Sequence, residues 1–161
     1  MSQKDLPHTA KLMTIWLLIG LVIFLGIKAW EHERETSRFK LAGETVVLTR
    51  APDGHFHWPG RVGDLEVDFL VDTGATTTAL PQALAERVGL KPLGPIQTHT
   101  AGGTTAGFAA RADVALQGGV RADRLVVAVL PNLGAPLLGM DVLGRLHFSQ
   151  KPGELRIEPQ E

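Results

Sequence analysis

The chain has 161 residues, 44% of them hydrophobic and 20% charged, which is typical of one globular domain with additional segments. The formal net charge is −1, and the absence of a large basic cluster excludes nucleic acid as the expected partner. Cysteine and tyrosine are absent, which excludes disulfides, thiolate metal sites, cysteine nucleophiles and phenolic acid–base groups.

A strongly apolar segment, residues 12–30, follows a short tail of residues 1–11 and predicts a transmembrane helix. Residues 12–27 carry no charge, and as a helix they would span about 24 Å, slightly less than a ~30 Å hydrocarbon core. A buried core helix and a cleaved signal peptide are the alternatives. Residues 27–31 read Ile-Lys-Ala-Trp-Glu, a poor cleavage site, so the expectation is an uncleaved single-pass anchor. Positive charges flank both ends, which leaves the orientation open, and we expect an extracytoplasmic domain.

The remainder of the chain divides into a charged segment and a folded domain. Residues 31–40 lack a core pattern and predict a linker or an extension of the helix. Residues 41–161 are long enough for one compact domain.

The domain has the pattern of an all-β, closed barrel with one or two short helices. Apolar and polar residues alternate over 108–117, which predicts a half-buried strand, and Gly118-Gly119 predicts a hairpin turn into a return strand over 120–130. Further strands are predicted at 45–49, 55–61, 65–71 and 155–158, and short helices at 81–88 and 140–146.

The strongest local motif is Asp72-Thr73-Gly74, which directly follows the apolar residues Phe69-Leu70-Val71. A carboxylate at the end of a buried strand is costly unless it has hydrogen-bond donors or a chemical task. Gly74 allows a tight turn whose N–H groups can point back at the Asp72 carboxyl, and Thr73 offers a hydroxyl to neighbouring loops. An ordinary Asp that caps its own turn is the alternative.

A second motif, Pro136-Leu137-Leu138-Gly139, predicts a short buried strand that enters a helix, although simple core packing would explain it equally well. Taken together in order, Asp72-Thr73-Gly74-Ala75, a Gly-rich hairpin and Leu137-Leu138-Gly139 resemble the retropepsin-like aspartic proteases. The likeness is greatest to small bacterial members with an N-terminal membrane helix, and it covers roughly residues 55–158.

This resemblance implies an aspartic endopeptidase that needs no cofactor or metal and works as a homodimer on protein or peptide substrates. It implies Asp72 as the catalytic acid–base, with Thr73 and Gly74 supporting the catalytic loop. The Leu-Leu-Gly element is expected to pack beneath that loop. It also implies a location in a bacterial inner membrane.

Substrate-binding residues are expected in the catalytic loop and in a flap, a hairpin that closes over the substrate. Residues 100–104 are the best candidate for its tip, although a plain mobile loop is the alternative and no aromatic residue stands there. The predicted substrate-binding residues are Ala75, Ala101, Gly102 and Gly103.

The chemistry of the reaction explains why two chains are expected. One carboxylate must activate water while a second, protonated carboxyl polarises the scissile carbonyl, and two carboxyls about 3 Å apart share one proton. The sequence has a single Asp-Thr-Gly, and Asp68, Asp113 and Asp141 lack that context. The simplest partner is therefore Asp72 of a second copy.

Two other functions and one other site remain open. A membrane-tethered, non-catalytic dimerisation or peptide-binding module could use the same barrel, and a structural β-domain could carry the motif by chance. His55 and His57 share one face of a predicted strand, which suits zinc, but no third ligand stands out and surface residues are expected instead.

Overall fold

The computed structural model of the protein describes residues 8–35, 38–40, 44–100 and 103–158. The chain divides into two compact units, Met1–Thr36 and Ser37–Glu161. In the first unit the structure describes one helix, α1 (His8–Glu35). Side chains from residue 15 to residue 28 are exposed along it.

The helix α1 includes all of residues 12–30, which the sequence predicts to cross a membrane. Within the described ranges, however, no helix has the length and apolar character needed to cross a membrane. The predicted transmembrane helix is thus not supported by the structure.

The second unit is built mainly from short strands. They are β1 (Arg38–Lys40), β2 (Val46–Thr49), β3 (His57–Val62), β4 (Leu65–Val71), β5 (Ala79–Pro81), β6 (Pro92–Thr100), β7 (Gly103–Leu116), β8 (Arg121–Leu130), β9 (Leu137–Leu138), β10 (His147–Lys151) and β11 (Glu154–Glu158). Two short helices accompany them, α2 (Gln82–Val88) and α3 (Met140–Leu143). The unit is therefore mostly β, with few helices, as the sequence predicts.

The strands form two sheets. The larger has the order β1-β8-β5-β9-β4-β3-β7-β6, with an additional pairing of β7 with β8, and the smaller has the order β10-β11-β2. The closure of these strands into a barrel stays a prediction. Most neighbours are antiparallel, but β4 and β9 run parallel, with Val71 opposite Leu138. This pairing brings the ends of two strands that lie far apart in the sequence to the same place.

The core of the second unit lies between the strands and the two short helices. Ala110, Ala112, Val114 and Leu116 are all buried, which confirms the alternation predicted for β7. Trp58 and Phe69 stand opposite each other on β3 and β4 and are fully buried. The Trp58 indole N–H donates to the Gln117 carbonyl at 2.9 Å, so its one polar atom has a partner.

Several elements differ from the sequence prediction. Residues 31–35 belong to α1, which agrees with the predicted extension of the helix, whereas residues 38–40 form a strand that pairs with β8. The strand β6 has no counterpart in the sequence prediction, and it contains Pro92 and Pro95, residues that disfavour strands. It lies at the edge of its sheet, where a missing N–H is tolerated.

The helix predicted at residues 140–146 ends three residues early, at Leu143. The Arg145 and Leu146 N–H groups bond three residues back, to Val142 and Leu143, so the last turn is tightened and no longer α-helical. In contrast, α2 ends as predicted at Gly89, whose φ of 74° lies in the left-handed region that favours glycine.

Candidate active site

Asp72 lies directly after β4, where that strand runs beside β9. The Asp72 N–H donates to the Leu138 carbonyl at 3.0 Å, so the backbone at residue 72 is fixed to β9. The Asp72 side chain is half-buried. The end of a well-paired strand thus holds this carboxyl in a defined place while solvent can still reach it.

Backbone N–H groups of the turn after Asp72 donate hydrogen bonds to this residue. The Gly74 N–H donates to Asp72 Oδ1 at 2.9 Å, and the Ala75 N–H donates to the Asp72 carbonyl at 3.2 Å. A Cβ at residue 74 would lie 3.2 Å from the same Oδ1, so glycine leaves room for the carboxyl. This geometry confirms that the Gly74 N–H points back at Asp72.

The other predicted residues of this loop have less defined surroundings. Thr73 is exposed, and in the described part of the chain its hydroxyl makes no hydrogen bond. Ala75 is half-buried, and its carbonyl accepts the Met140 N–H at 2.8 Å. The Leu137-Leu138-Gly139 element therefore does contact the loop through Leu138, and Met140, the residue after the element, makes a second contact. The functional roles assigned to Asp72, Thr73, Gly74 and Ala75 stay predictions.

Hydrogen bonds between Thr78 and Asp141, which the sequence did not predict, lie at the C-terminal end of the loop. Thr78, fully buried, donates its N–H to Asp141 Oδ2 at 2.9 Å and its hydroxyl to Asp141 Oδ1 at 2.8 Å. The Thr78 hydroxyl also accepts the Gly139 N–H at 3.2 Å. Asp141 lacks the Thr-Gly context expected of a catalytic Asp, so the sequence assigns it no role. Its place two residues after Gly139, in the first turn of a predicted helix, was the available signal.

The predicted flap corresponds to the hairpin of β6 and β7. Its register runs to the pair Thr100–Gly103, and His99 Nδ1 lies 3.0 Å from the Thr104 hydroxyl near the tip. Gly103 has a φ of +113°, a conformation that favours glycine. The predicted substrate-binding residues Ala101 and Gly102 lie outside the described residues.

A small apolar cluster connects this hairpin with β9. It contains buried residues of β5 and β8, and half-buried residues of β6, β9 and the loop before β9 pack against it: Ala79, Ala128, Leu130, Ile96, Leu137 and Leu133. Since Leu137 precedes the Leu138 that accepts the Asp72 N–H, the cluster lies beside the Asp72 loop. Its members thus connect β9, which pairs with the strand before Asp72, with Ile96 of the hairpin.

A separate charged cluster surrounds His57 at the start of β3. Its Nε2 lies 2.8 Å from Asp53 Oδ2 and its Nδ1 lies 3.2 Å from Asp68 Oδ2. The hydrogen bond with Asp53 raises the pKa of His57, and the nearby Asp68 adds to the effect. The strand begins at His57, so His55 lies in the preceding turn instead of sharing a strand face with it, and its N–H donates to Asp53 Oδ1. Among the described residues no group of three or more His, Asp or Glu could hold a metal ion.

Comparison with known families gives one match that covers more than half of the chain. The model described as "gag-polyprotein putative aspartyl protease" matches residues 58–145, a range that includes both Asp72 and the Leu137-Leu138-Gly139 element.

Two curated proteins are related in sequence. An uncharacterized protein in the cobV 5′ region of a Sinorhizobium species is 36% identical over 123 residues, which are 71% of this chain and 52% of that protein. The uncharacterized protein RP867 of Rickettsia prowazekii (strain Madrid E) is 28% identical over 99 residues, which are 55% of this chain and 43% of that protein. The chain thus spans about half the length of the curated relatives it matches.

Solved structures also resemble the chain. The crystal structure of a retropepsin-like aspartic protease from Rickettsia conorii matches with a TM-score of 0.56 and 25% identity, covering 76% of this chain and 93% of that one. The EIAV protease complexed with the inhibitor HBY-793 matches with a TM-score of 0.51 and 22% identity, covering 61% and 93%. The second likeness concerns the fold alone.

Proposed function

Since the chain belongs to the retropepsin-like aspartic proteases, we propose that it is an aspartic endopeptidase in which two copies of Asp72 act on one peptide bond. The observation that carries the proposal is the position of the Asp72 carboxyl. It ends a fixed strand, its Oδ1 accepts the Gly74 N–H, and the side chain is half-buried. This arrangement is suited to a carboxyl that must meet both water and substrate.

A second copy of the chain is proposed because the reaction needs two carboxyls. The sequence has one Asp-Thr-Gly. Asp141 lies at the end of the same loop, but both of its carboxyl oxygens accept hydrogen bonds from Thr78. A carboxylate engaged in this way is poorly placed to activate water, so Asp72 of a partner copy is the better second group.

The proposed chemistry divides the work between the two carboxyls. The ionised Asp72 removes a proton from water, whose oxygen attacks the carbonyl carbon, while the protonated Asp72 donates its proton to the carbonyl oxygen. The first carboxyl then passes its new proton to the amide nitrogen as the C–N bond breaks, and the second carboxyl takes a proton from a hydroxyl of the tetrahedral intermediate. The products are a carboxylic acid and an amine, and the pair returns to sharing one proton.

The surroundings of the loop support a peptide substrate with apolar side chains near the cleaved bond. Ile96 of the hairpin and Leu137 of β9 are only partly buried, so part of the apolar cluster remains accessible. An extended peptide between hairpin and loop could bury this surface. The location of the protein in a bacterial inner membrane, with the protease unit outside the cytoplasm, stays a proposal that rests on the uncharged residues 12–27 alone.

The test is hydrolysis of a peptide library by the full chain from acidic to neutral pH, over a wide dilution series, with mass followed by light scattering. Asp72→Asn should abolish cleavage, whereas Asp64→Asn, a carboxyl lost from an exposed turn, should leave it unchanged. Specific activity should fall as the dimer dissociates, because the active species depends on mass action. A monomer with concentration-independent activity would contradict the two-chain site, and cleavage by Asp72→Asn at the wild-type rate would remove the assignment of Asp72.

A further inference from the structure

Thr78 stands out because it is the only buried polar or charged residue within the described ranges. A buried hydroxyl without partners is costly, so its bonds are part of the fold. Its N–H and its hydroxyl both donate to Asp141, and the hydroxyl accepts from Gly139. The residue therefore joins two parts of the chain that are 63 positions apart.

These bonds fix the C-terminal end of the loop formed by residues 72–78, whose N-terminal end is fixed at Asp72. At the start, the Asp72 N–H donates to Leu138, and in the middle the Ala75 carbonyl accepts from Met140. At the end, Thr78 is bound by Asp141, while its carbonyl accepts the Ala128 N–H at 3.0 Å. Residues 72–78 thus run along residues 138–141 with contacts at beginning, middle and end.

The position of the Gly74 N–H depends on this attachment. That N–H is the donor that holds Asp72 Oδ1, and it belongs to the segment between the Leu138 and Asp141 contacts. If the Thr78 end were released, the turn could shift relative to β9 while Asp72 itself stayed attached. The carboxyl would then lose its fixed orientation although the strand before it remained intact.

We propose that Thr78 and Asp141 form a positioning pair for the catalytic loop: Asp141 holds Thr78, and Thr78 holds the turn whose Gly74 N–H orients Asp72. The pair acts through the loop and does not touch the reacting atoms. This inference rests on the proposed function of Asp72, and it assigns Asp141 a role different from that of a second catalytic carboxyl.

The kinetic test compares Thr78→Val, which keeps the shape but removes the hydroxyl, with Thr78→Ser, which keeps the hydroxyl. Thr78→Val should lower kcat roughly 10- to 100-fold with little change in KM, because a misplaced catalytic group affects the reacting step more than substrate binding. Thr78→Ser should restore most of the rate. Asp141→Ala should behave like Thr78→Val.

A loss of stability alone must be distinguished from a loss of orientation. Val62 is fully buried at the other end of β3 and β4, so Val62→Ala provides a destabilised variant far from the loop. Rates are expressed per folded molecule, with the folded fraction measured by thermal unfolding in the same buffer. Val62→Ala should then keep the wild-type kcat. A wild-type kcat for folded Thr78→Val would overturn the proposal.

A second measurement does not depend on catalysis and separates this inference from the proposed function. Hydrogen exchange of the full chain should show the Gly74 amide exchanging about tenfold faster in Thr78→Val than in the wild type, with no such change in Thr78→Ser. Equal protection of Gly74 in all three proteins would refute the positioning role, even if Asp72 proved to be catalytic. Faster exchange in a chain that cleaves nothing would support the pair while removing the protease.

Discussion

Replacement of Gly139 by alanine should destabilise the protein through a single added methyl group. Its backbone, with φ −93° and ψ 179°, is one that alanine adopts without strain. The obstacle is contact: a Cβ there would lie 2.6 Å from the Thr77 carbonyl carbon, 2.8 Å from the Thr78 nitrogen and 2.9 Å from the Thr77 oxygen. All three are backbone atoms, so no side-chain rotation can relieve the overlap.

The magnitude follows from the displacement that this methyl requires. An ordinary contact begins at 3.4 Å, so residues 77–78 and 139 must separate by roughly 0.8 Å. Taken up at the 2.9 Å bond from Thr78 N–H to Asp141, this shift would stretch it beyond hydrogen-bond range. Overpacking costs about 1–3 kcal/mol and a lost bond to a charged group about 1.5–3. Alanine also reduces the entropy of the unfolded chain, which offsets about 0.4–1 kcal/mol of this loss.

The expected net loss is therefore about 1.5–5.5 kcal/mol, which lowers the unfolding midpoint by about 5–25 °C in a domain of this size. The assay is thermal unfolding of the full chain followed by circular dichroism. Gly94→Ala is the matched control, because a Cβ there meets nothing within 4 Å and its φ is not left-handed, so it should be neutral or slightly stabilising. Equal midpoints for the two variants would show that the close approach at Gly139 does not make its replacement by alanine destabilising.

Two further predictions concern pH and location. The hydrogen bond with Asp53 raises the pKa of His57. Protonated His57 therefore stabilises the folded state fully below about pH 6.5, and this contribution is lost as the pH rises through the raised pKa. The pKa of Asp53 is lowered from 3.8, first by the His55 N–H and then by His57, so its contribution is lost as the pH falls through the lowered value. The midpoint difference between wild type and His57→Gln should be largest between these limits, and a pH-independent difference would contradict the bridge. Because residues 12–27 are uncharged and strongly apolar, the full chain should sediment with membranes, and its recovery in the soluble fraction would remove the membrane proposal.

The features that the sequence by itself determined are local. The turn after Asp72 depends on Gly74, two residues away, and the end of α2 depends on the left-handed Gly89, so both follow from neighbouring residues. The alternation along β7 identified its buried face without knowledge of its partners. Such features are predictable because backbone preferences and side-chain periodicity act over a few residues.

The tertiary structure decided which distant segments meet. No pattern in either segment states that Val71 stands opposite Leu138, or that Thr78 binds Asp141, because register between strands depends on how the whole core packs. The same reason explains β6, whose prolines argue against a strand until an edge position makes their missing N–H groups harmless. Asp72 could therefore be identified from its own sequence context, and the family resemblance placed Leu137-Leu138-Gly139 beneath its loop, whereas the bonds between Thr78 and Asp141 could be seen only in the folded chain.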